Sequence, residues 1–284
     1  PFNRATQAVR QPGSTMKPIA AFLPALESGA IQPASILDDI PLVLKDGSKG
    51  YHIPLNWDVK FHGLMTAREA LNQSYNVPAL WLFNETIGIE NAWEFARRLG
   101  ITTLTEKDQA ARTGVIGGLE YGTTVEEMTN AYSTIANKGQ YRETFIISKI
   151  ENSSGELLYE HEVDPTTVFS EQTAYLMTDM LRTVITNGTA RTIMSTFEHY
   201  GEIPVVGKTG STQFDRDAWF VGYSPDVTVG VWAGYDQNYT LSTWLDGPQG
   251  PGTRRALNIW SKIMNAAAEI RPELFETKQF EKPE

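Results

Sequence analysis

Residues 12–29 read PGSTMKPIAAFLPALESG, a Pro-Gly turn followed directly by an apolar helix that Gly29 ends. The apolar residues of this stretch recur at helical spacing, at Met16, Ile19, Ala20, Phe22 and Leu23. Because proline is tolerated in the first turn of a helix but not in its interior, Pro18 predicts that the helix begins close to Ser14. Ser14 and Lys17 are three residues apart and therefore share one face at the start of this helix.

Outward from this helix, the chain changes from helical to strand-rich. Residues 31–63 are rich in Pro, Gly and Asp and are predicted to be irregular. Helices are predicted at 66–72, 76–86, 90–98, 123–137, 170–186 and about 253–270. Strands are predicted in a hairpin within 141–162 and at 203–210, 218–223 and 227–235. The pattern indicates the α/β (α+β) class, with a helical middle section flanked by parts of one antiparallel layer.

Composition narrows the functional classes. The net charge of −10 leaves no basic field to neutralise phosphates, so no nucleic-acid partner is expected. The chain has no cysteine, which excludes thiol nucleophiles and zinc–thiolate sites and is compatible with an extracytoplasmic location. The sequence contains no run of 18 or more apolar residues, so no membrane span is predicted within it.

Three short motifs follow one another along the chain: Ser14-x-x-Lys17, Ser74-Tyr75-Asn76 and Lys208-Thr209-Gly210. A serine hydroxyl becomes a good nucleophile only when a neighbouring base takes its proton. Lys17 can be that base if burial or a second cation favours its neutral form, and Lys208 is the candidate cation. The helix start offers Ser14 an unpaired N–H and a positive dipole, which suit a developing oxyanion.

Each motif alone is weak, because a serine near a helix start or a lysine at a strand end is usually structural. The third motif is the most informative, since it ends the apolar strand 204–207 and Gly210 lets a ligand lie along the strand edge. The common order of the three motifs, each in suitable local structure, favours a serine acyl-transfer site. Serine β-lactamases and penicillin-binding proteins carry motifs of this kind in this order.

Longer strings extend the match. The chain resembles class A penicillin-binding proteins in NRATQ and RQPGS around residues 3–14, IGGL at 116–119, TTVEEMTNAYSTIANKG at 123–139 and DAWFVGY at 217–223. These proteins are bifunctional synthases that join an N-terminal glycosyltransferase to a C-terminal transpeptidase. The resemblance extends to about residue 270. It identifies the chain as similar to their transpeptidase (penicillin-binding) domain.

The resemblance implies a fold and a reaction. The implied fold is an antiparallel sheet sandwiched by helices plus a helical subdomain, as in serine β-lactamases and penicillin-binding protein transpeptidases. Ser14 would be acylated by the penultimate D-Ala of a peptidoglycan stem peptide ending in D-Ala-D-Ala, with Lys17 as its base. An amine from a neighbouring stem peptide would then take the acyl group. The chemistry needs no metal or organic cofactor, and β-lactam antibiotics would acylate Ser14 as substrate mimics.

The other site residues receive their roles from the same resemblance. Ser74 would relay a proton to the leaving D-Ala, and Asn76 would hold the acyl amide and the lysine pair. Lys208 would supply positive field. Thr209 and Ser211, on either side of Gly210, would bind the substrate carboxylate.

Two further expectations concern the same strand and turn. The oxyanion hole is expected at the backbone N–H groups of Ser14 and Ser211. Tyr75 departs from the Asp that is common in the second motif, and Ser211 stands where Thr is common. Both departures are conservative for role, and they could tune β-lactam affinity.

The resemblance also sets expectations for the rest of the protein. Residues 1–284 are interpreted as one transpeptidase domain that lacks the upstream glycosyltransferase domain and its own N-terminal strands. In the family two sheet strands precede the helix of the nucleophile, whereas thirteen residues precede Ser14 here. A separate or missing N-terminal segment is therefore expected to cover the hairpin 218–235. The protein is expected on the extracytoplasmic face of the bacterial membrane, anchored by a segment outside this chain.

Three other functions compete with transpeptidation. The first is hydrolysis on the same scaffold, by a β-lactamase or a D,D-carboxypeptidase, which a deacylation rate would distinguish. The second is a non-catalytic penicillin sensor, and the third is a catalytically dead structural module. The class A strings argue against a sensor, and the intact motifs argue against a dead module.

Two features imitate functional residues. Glu126-x-x-x-Asn130 resembles the glutamate signature with which class A β-lactamases activate a deacylating water. Glu126 lies off the apolar face of the predicted helix 123–137, so it is expected to be a surface residue. The four histidines lack the close spacing of a zinc site, and solvated or structural roles are expected for them: His52, His62, His161 and His199.

Overall fold

The structure is a computed structural model that describes residues 2–45, 50–213, 216–237, 239–241 and 253–284. The helix that carries the first motif begins where the sequence predicts. It opens with a 3₁₀ turn at Gly13–Thr15, continues through a π-helical segment at Pro18–Phe22 and ends as helix α1, Leu23–Glu27. Pro18 has no N–H to give to the preceding turn, which accounts for the wider turn there. Residues 15–26 of this helix are all buried.

The described part of the main sheet is antiparallel, in the order β11–β10–β9. Strand β9 is Val206–Ser211, β10 is Asp217–Tyr223 and β11 is Thr228–Gly234. These bounds confirm the three strands predicted from the sequence to within three residues at each end. β10 lies in the middle and is buried along its whole length, whereas β11 lies at one edge and is only partly buried.

Helices cover both faces of this sheet. On one face Trp260 of α8 (Thr253–Ile270) packs against Phe220 and donates from Nε1 to Gly222 O at 3.3 Å. On the other face α5 (Val125–Ala136) lies so close that a Cβ on Gly230 would be 1.9 Å from the Thr129 hydroxyl. The sandwich of helices around an antiparallel sheet is therefore confirmed.

The middle of the chain forms the helical subdomain. Its helices are α2 (Ala67–Asn72), α3 (Asn76–Trp81), a π-helical segment (Leu82–Thr86) and α4 (Ile89–Arg98), with 3₁₀ turns at Asp108–Ala110 and Gly114–Ile116. A capping box formed by Thr124 and Glu127 starts α5, and the Ser170 hydroxyl caps α6 (Glu171–Thr186). These starts agree with the predicted helices to within two residues.

The stretch 31–63 is less irregular than predicted. It contributes β1 (Ile36–Asp39), which pairs with β4 (Gly63–Thr66), and the short pair β2 (Leu44–Lys45) and β3 (Tyr51–His52). The partner of β1 lies about 27 residues away in sequence, so no local turn pattern marks the pairing. This small sheet matters because β1 and β4 flank the second motif.

The remaining elements lie outside the core of the site. They are β5 (Gln140–Tyr141) paired with β8 (Thr166–Thr167), the hairpin β6 (Lys149–Glu151) and β7 (Leu157–Glu160), α7 (Ile193–Thr196) and a 3₁₀ turn at Pro272–Phe275. The hairpin confirms the turn predicted at Ser153–Gly155, since Gly155 N–H donates to Asn152 O at 3.0 Å. In the described ranges, no helix combines the length and apolar character needed to span a bilayer. Completion of the β11 edge by an N-terminal segment stays a prediction.

Candidate active site

The first motif is held against the end of β9 by a glycine turn. Gly13 has φ of 61°, and a Cβ there would lie 2.3 Å from Ser211 O and 2.7 Å from Ser211 N, so no other residue fits without displacing the strand. The backbone of Gly210 is also close to the turn, because a Cβ on Gly210 would lie 2.5 Å from Pro12 O. Ser14, which is half-buried, therefore lies beside the strand that carries the third motif.

Two lysines meet inside the protein on the second motif. Lys17 and Lys208 are both fully buried, and both contact Ser74. Lys17 Nζ donates to Ser74 O at 2.6 Å and to Asn76 Oδ1 at 2.7 Å, and lies 3.3 Å from Ser74 Oγ. Lys208 Nζ donates to Ser74 Oγ at 2.7 Å and to Thr209 O at 3.0 Å. Ser74 thus connects the two amines.

The environment of this pair favours neutral amines. Burial lowers the pKa of Lys17 well below its ordinary value, and the nearby charge of Lys208 lowers it further. Burial lowers the pKa of Lys208 to about 7. A neutral Lys17 can satisfy its two short bonds with its two protons and keep a lone pair free. That lone pair is what a general base requires.

Ser74 has an uncommon backbone conformation. Its φ is 58°, in the left-handed region, which costs a residue other than glycine about 1–3 kcal/mol and persists only when neighbouring contacts hold it. The turn is held by Ser74 N–H to Leu71 O at 3.0 Å and by the amine of Lys17 on the Ser74 carbonyl. The conformation aims the side chain at Lys208.

Asn76 connects the site to the small sheet region. As the first residue of α3, it donates from Nδ2 to Leu55 O at 2.7 Å, and its own N–H donates to Asn56 Oδ1 at 2.7 Å. These bonds orient its amide so that Oδ1 faces Lys17. Asn56 is buried, and it belongs to no motif that would single it out in the sequence.

The third motif presents one backbone edge to the cleft. Thr212 N–H donates to Asp217 O at 3.2 Å, and residues opposite each other in an antiparallel ladder alternate between bonded and non-bonded pairs. Ser211 and Ala218 are therefore a non-bonded pair, and Ser211 N–H points away from β10 towards Gly13. The Thr209 hydroxyl lies 2.6 Å from the Thr189 hydroxyl, a neighbour that the motifs did not reveal.

The structure brings together Lys17, Ser74, Asn76 and Lys208 through hydrogen bonds, and sets Gly210 and Ser211 against the turn of Ser14. In the described residues, no hydrogen bond joins the Ser14 hydroxyl to Lys17. The Ser14 N–H also differs from expectation, because it donates to Pro12 O at 2.8 Å across the turn at Gly13. Catalytic hydrogen bonds often tighten only when substrate binds, so the hydroxyl and the N–H of Ser14 can still take the expected roles when a substrate is present.

Two groups support the turn at Ser14 from the other side. Tyr132 of α5 is fully buried, and its hydroxyl donates to Thr15 O at 2.8 Å. Trp219 Nε1 donates to Gln11 O at 2.8 Å. Tyr132 belongs to the apolar face that the sequence predicts for α5, but the periodicity alone does not show which backbone oxygen its hydroxyl reaches.

Glu126 lies away from these residues. It is half-buried instead of fully exposed, and Thr144 Oγ1 donates to its Oε1 at 2.7 Å. It lines a cavity of about 720 Å³ between α5 and the β11 edge, which contains none of the three motifs. The expectation that Glu126 lies off the buried helix face holds, but its side chain is bonded rather than solvated.

A Glu126→Gln variant is therefore expected to release a penicilloyl adduct as slowly as the parent. A deacylation base must reach the acyl ester directly or through one water, and Glu126 is bonded to Thr144 in a different cavity. The measurement is the loss of labelled penicillin from the protein over hours. Fast release in the parent that slows in the variant would instead indicate a β-lactamase.

The grouping of Lys17 and Lys208 on Ser74, next to the turn of Ser14, fits the active site of a serine acyl-transfer enzyme. The family described as "Penicillin binding protein transpeptidase domain" matches residues 2–264. The chain belongs to this family, as a transpeptidase domain of the class A type.

Similar proteins agree with this assignment. The chain is 38% identical to penicillin-binding protein 1F of Bacillus subtilis, over 87% of this chain and 34% of that protein. It is 37% identical to penicillin-binding protein 1A of Aquifex aeolicus, over 95% of this chain and 35% of that protein. The chain therefore spans about a third of the length of these relatives.

Solved structures agree as well. Penicillin-binding protein 1A of Haemophilus influenzae superposes with a TM-score of 0.83 at 26% identity, over 99% of this chain and 45% of that one. PonA1 of Mycobacterium tuberculosis in complex with penicillin V gives 0.81 at 26% identity, over 100% of this chain and 74% of that one. The fold predicted from the resemblance is confirmed.

Proposed function

We propose that Ser14 is the acyl-accepting nucleophile of this D,D-transpeptidase domain and that it forms peptide cross-links in peptidoglycan. The observation that carries the assignment is the buried contact of Lys17 and Lys208 with Ser74, next to the turn of Ser14. Burial that disfavours charge on an amine is what converts a lysine into a base near neutral pH. The domain's own substrate is a stem peptide ending in D-Ala-D-Ala.

Acylation begins with attack of Ser14 Oγ on the carbonyl carbon of the penultimate D-Ala. The hydroxyl proton passes to the lone pair of Lys17, and the carbonyl oxygen becomes an oxyanion that accepts from Ser211 N–H. Ser14 N–H can join this oxyanion hole only by leaving Pro12 O. Asn76 keeps Lys17 in place during the transfer.

Collapse of the tetrahedral intermediate breaks the bond to the terminal D-Ala. Its nitrogen leaves as an amine and takes a proton, which Ser74 hands on from Lys17, while Lys208 restores the hydrogen bond to Ser74 Oγ. The acyl group is now an ester on Ser14. An amine of a neighbouring stem peptide attacks this ester, gives a proton back through the same residues and forms the cross-link; water in its place gives the carboxypeptidase side reaction.

The substrate carboxylate is bound at the edge of β9. Lys208 supplies positive charge below the strand, and the Thr209 hydroxyl is held by Thr189 at the point where a ligand would lie. Gly210 leaves the strand edge open to a close ligand backbone or to the carboxylate of a β-lactam. Ser211 adds a hydroxyl and the N–H described above.

The similarity to class A penicillin-binding proteins also supports a proposal about the rest of the protein. A glycosyltransferase domain, N-terminal strands that cover the β11 edge and a membrane anchor on the extracytoplasmic side would lie in the part of the protein outside this chain. Residues 1–284 would then act as its transpeptidase domain.

The proposal is tested by incubation with labelled penicillin, proteolysis and mass spectrometry. The expected result is one adduct, on the peptide that contains Ser14, released slowly over hours. Incubation with a D-Ala-D-Ala stem peptide and an amine acceptor is expected to yield cross-linked product in excess of hydrolysed product. Rapid turnover of penicillin would favour the β-lactamase alternative, and an adduct without any peptide turnover would favour the penicillin sensor.

A Lys208→Ala variant is expected to slow acylation more for carboxylate-bearing β-lactams than for neutral acylating reagents. A hydrogen bond to a charged group is worth about 1.5–3 kcal/mol, which corresponds to roughly a tenfold to hundredfold loss. The measurement is the second-order rate constant for each reagent type. Lys107→Ala, at an exposed ion pair with Glu120, is the matched control. Equal losses for both reagent types would show that Lys208 does not act on the carboxylate.

A further inference from the structure

His62 bridges two carboxylates next to the second motif. Its Nδ1 lies 2.8 Å from Asp39 Oδ2 and its Nε2 lies 3.0 Å from Asp58 Oδ2. Carboxylates accept hydrogen bonds, so both ring nitrogens must donate to make both contacts. Only the imidazolium form has two N–H groups, and the geometry therefore corresponds to a protonated His62.

The bridge is connected to Lys17 by hydrogen bonds that are buried or partly buried. Asp39 is fully buried, and its Oδ2 also accepts from Asn56 Nδ2 at 2.7 Å. Asn56 Oδ1 in turn accepts the N–H of Asn76, whose Oδ1 accepts from Lys17 Nζ. The path from His62 to Lys17 thus runs through Asp39, Asn56 and Asn76, and of these residues only Asn76 has an expected contact with the substrate.

His62 also contacts the Ser74–Asn76 turn directly. The ring of His62 stacks on Tyr75, with centroids 4.2 Å apart and planes at 23°. Tyr75 lies between the strained Ser74 and Asn76, and it is buried. A cation on the face of a tyrosine ring is attracted to it, so a charged His62 holds Tyr75 more firmly than a neutral one.

We propose that His62, in its protonated form, is a positioning residue for acylation, because it fixes the Ser74–Asn76 turn through Tyr75 and through Asp39 and Asn56. The inference rests on the proposed function, in which this turn holds Lys17 and relays a proton. His62 itself does not touch the substrate or the reacting atoms.

The charges around His62 determine its protonation. Asp39 from β1, Asp58 from the turn at 56–59 and the Tyr75 phenol face the ring, and Glu69 of α2 adds negative potential at Tyr75. The hydrogen bond that His62 donates to Asp39, followed by the charge of Asp58 and the hydrogen bond donated to it, raises the pKa of His62 above its ordinary value despite the opposing effect of burial. Burial and the same carboxylates raise the pKa of Tyr75, which keeps its phenol neutral.

The direction of the pH effect follows. Because the pKa of His62 is raised, the positioning is fully present at acidic pH and is lost as the pH rises through that raised value. Lys17 works in the opposite direction, since it must be neutral to act as a base. The acylation rate of the parent should therefore rise with pH and then fall, and the falling limb should contain a contribution from His62.

The test compares the parent with His62→Gln between pH 6 and pH 9.5, using the second-order rate constant for acylation by penicillin. Glutamine can donate to one carboxylate and carries no charge. The parent is expected to be faster by on the order of 10- to 100-fold at pH 6, since small misplacements of catalytic groups have effects of this size, and the ratio is expected to fall towards one at high pH. Titration of Lys17 and Lys208 occurs in both proteins and cancels in the ratio. His161→Gln is the matched control, because His161 also stacks on an aromatic ring, Phe145, outside the cluster.

Asp58→Asn provides a milder variant that keeps the shape of the bridge. It is expected to lower the pH at which the parent loses rate, with the rate at pH 6 unchanged. Imidazole NMR should show that His62 of the parent titrates above the midpoint of a histidine in an unstructured peptide, and its midpoint should move down in Asp58→Asn. A rate ratio that does not change with pH, or a His62 midpoint that is not raised above that of the unstructured peptide, overturns the inference. Either of these results would leave the assignment of Ser14 as the nucleophile intact if the penicilloyl adduct maps to Ser14. An adduct on another residue would overturn the proposed function, but it would not change the protonation of His62 measured by NMR.

Discussion

A Ser14→Ala variant is expected to lose covalent labelling by penicillin completely while keeping the stability of the parent. The change removes the nucleophilic oxygen, and without it no ester can form. Among the described hydrogen bonds, none uses the Ser14 hydroxyl, so its removal leaves no buried group unsatisfied. Labelled protein is measured by mass spectrometry, and the fold is checked by thermal unfolding.

Ser28→Ala is the control for this change. Ser28 lies just beyond α1 on the same helix, and its hydroxyl donates only to Ala25 O at 3.2 Å. It is expected to label like the parent. A penicilloyl adduct that persists in Ser14→Ala with an unchanged rate would assign the nucleophile to another residue.

Replacement of Lys17 by methionine is expected to slow acylation of Ser14 by about 10²–10⁴-fold, the usual contribution of a general base. Methionine fills a similar volume without an amine. The substitution removes a fully buried group whose charged form is costly there, but it also leaves Ser74 O and Asn76 Oδ1 without their donor, so the fold of the variant is checked by thermal unfolding. The rate constant is measured against pH. The part of the parent profile that rises as Lys17 loses its proton is expected to disappear.

Lys17→Arg separates basicity from charge. Arginine stays protonated in proteins and cannot accept the proton of Ser14. If Lys17 is the base, the arginine variant is expected to be as impaired as the methionine variant, while Lys107→Met at the surface behaves like the parent. Acylation retained in Lys17→Arg and lost in Lys17→Met would show that position 17 acts by its charge, and another base would then have to be sought.

Much of the fold is encoded locally and could be predicted from the sequence. The helices at 171–186 and 125–136 and the strands at 217–223 and 228–234 follow from periodicity, turns and capping residues close by in the chain. The order of the three motifs also identified the family. The motifs identify the site residues only one by one. The structure adds that these residues contact one another: Lys17, Ser74, Asn76 and Lys208.

The rest depends on contacts between distant segments. Nothing near Asp39 in sequence indicates that it would be buried beneath His62, because the pairing of β1 with β4 creates that environment. Thr189 reaches Thr209 only after α6 has placed the loop that follows it against β9. The left-handed conformation of Ser74 is also unexpected for a serine, and it is held by a lysine 57 residues earlier in the chain.

The two buried lysines have a consequence for how the enzyme recognises its ligand. Every hydrogen-bond acceptor that the structure gives to Lys17 and Lys208 is a neutral oxygen, from Ser74, Asn76 or Thr209. Burial lowers the pKa of Lys208 to about 7, and among the described residues no carboxylate forms an ion pair with either amine. An arriving carboxylate favours a proton on Lys208, and a charged Lys208 in turn favours a neutral Lys17. In the proposed mechanism the anionic end of the ligand would thus favour the neutral Lys17 that takes the proton of Ser14, and an amidated or esterified ligand would lack this effect.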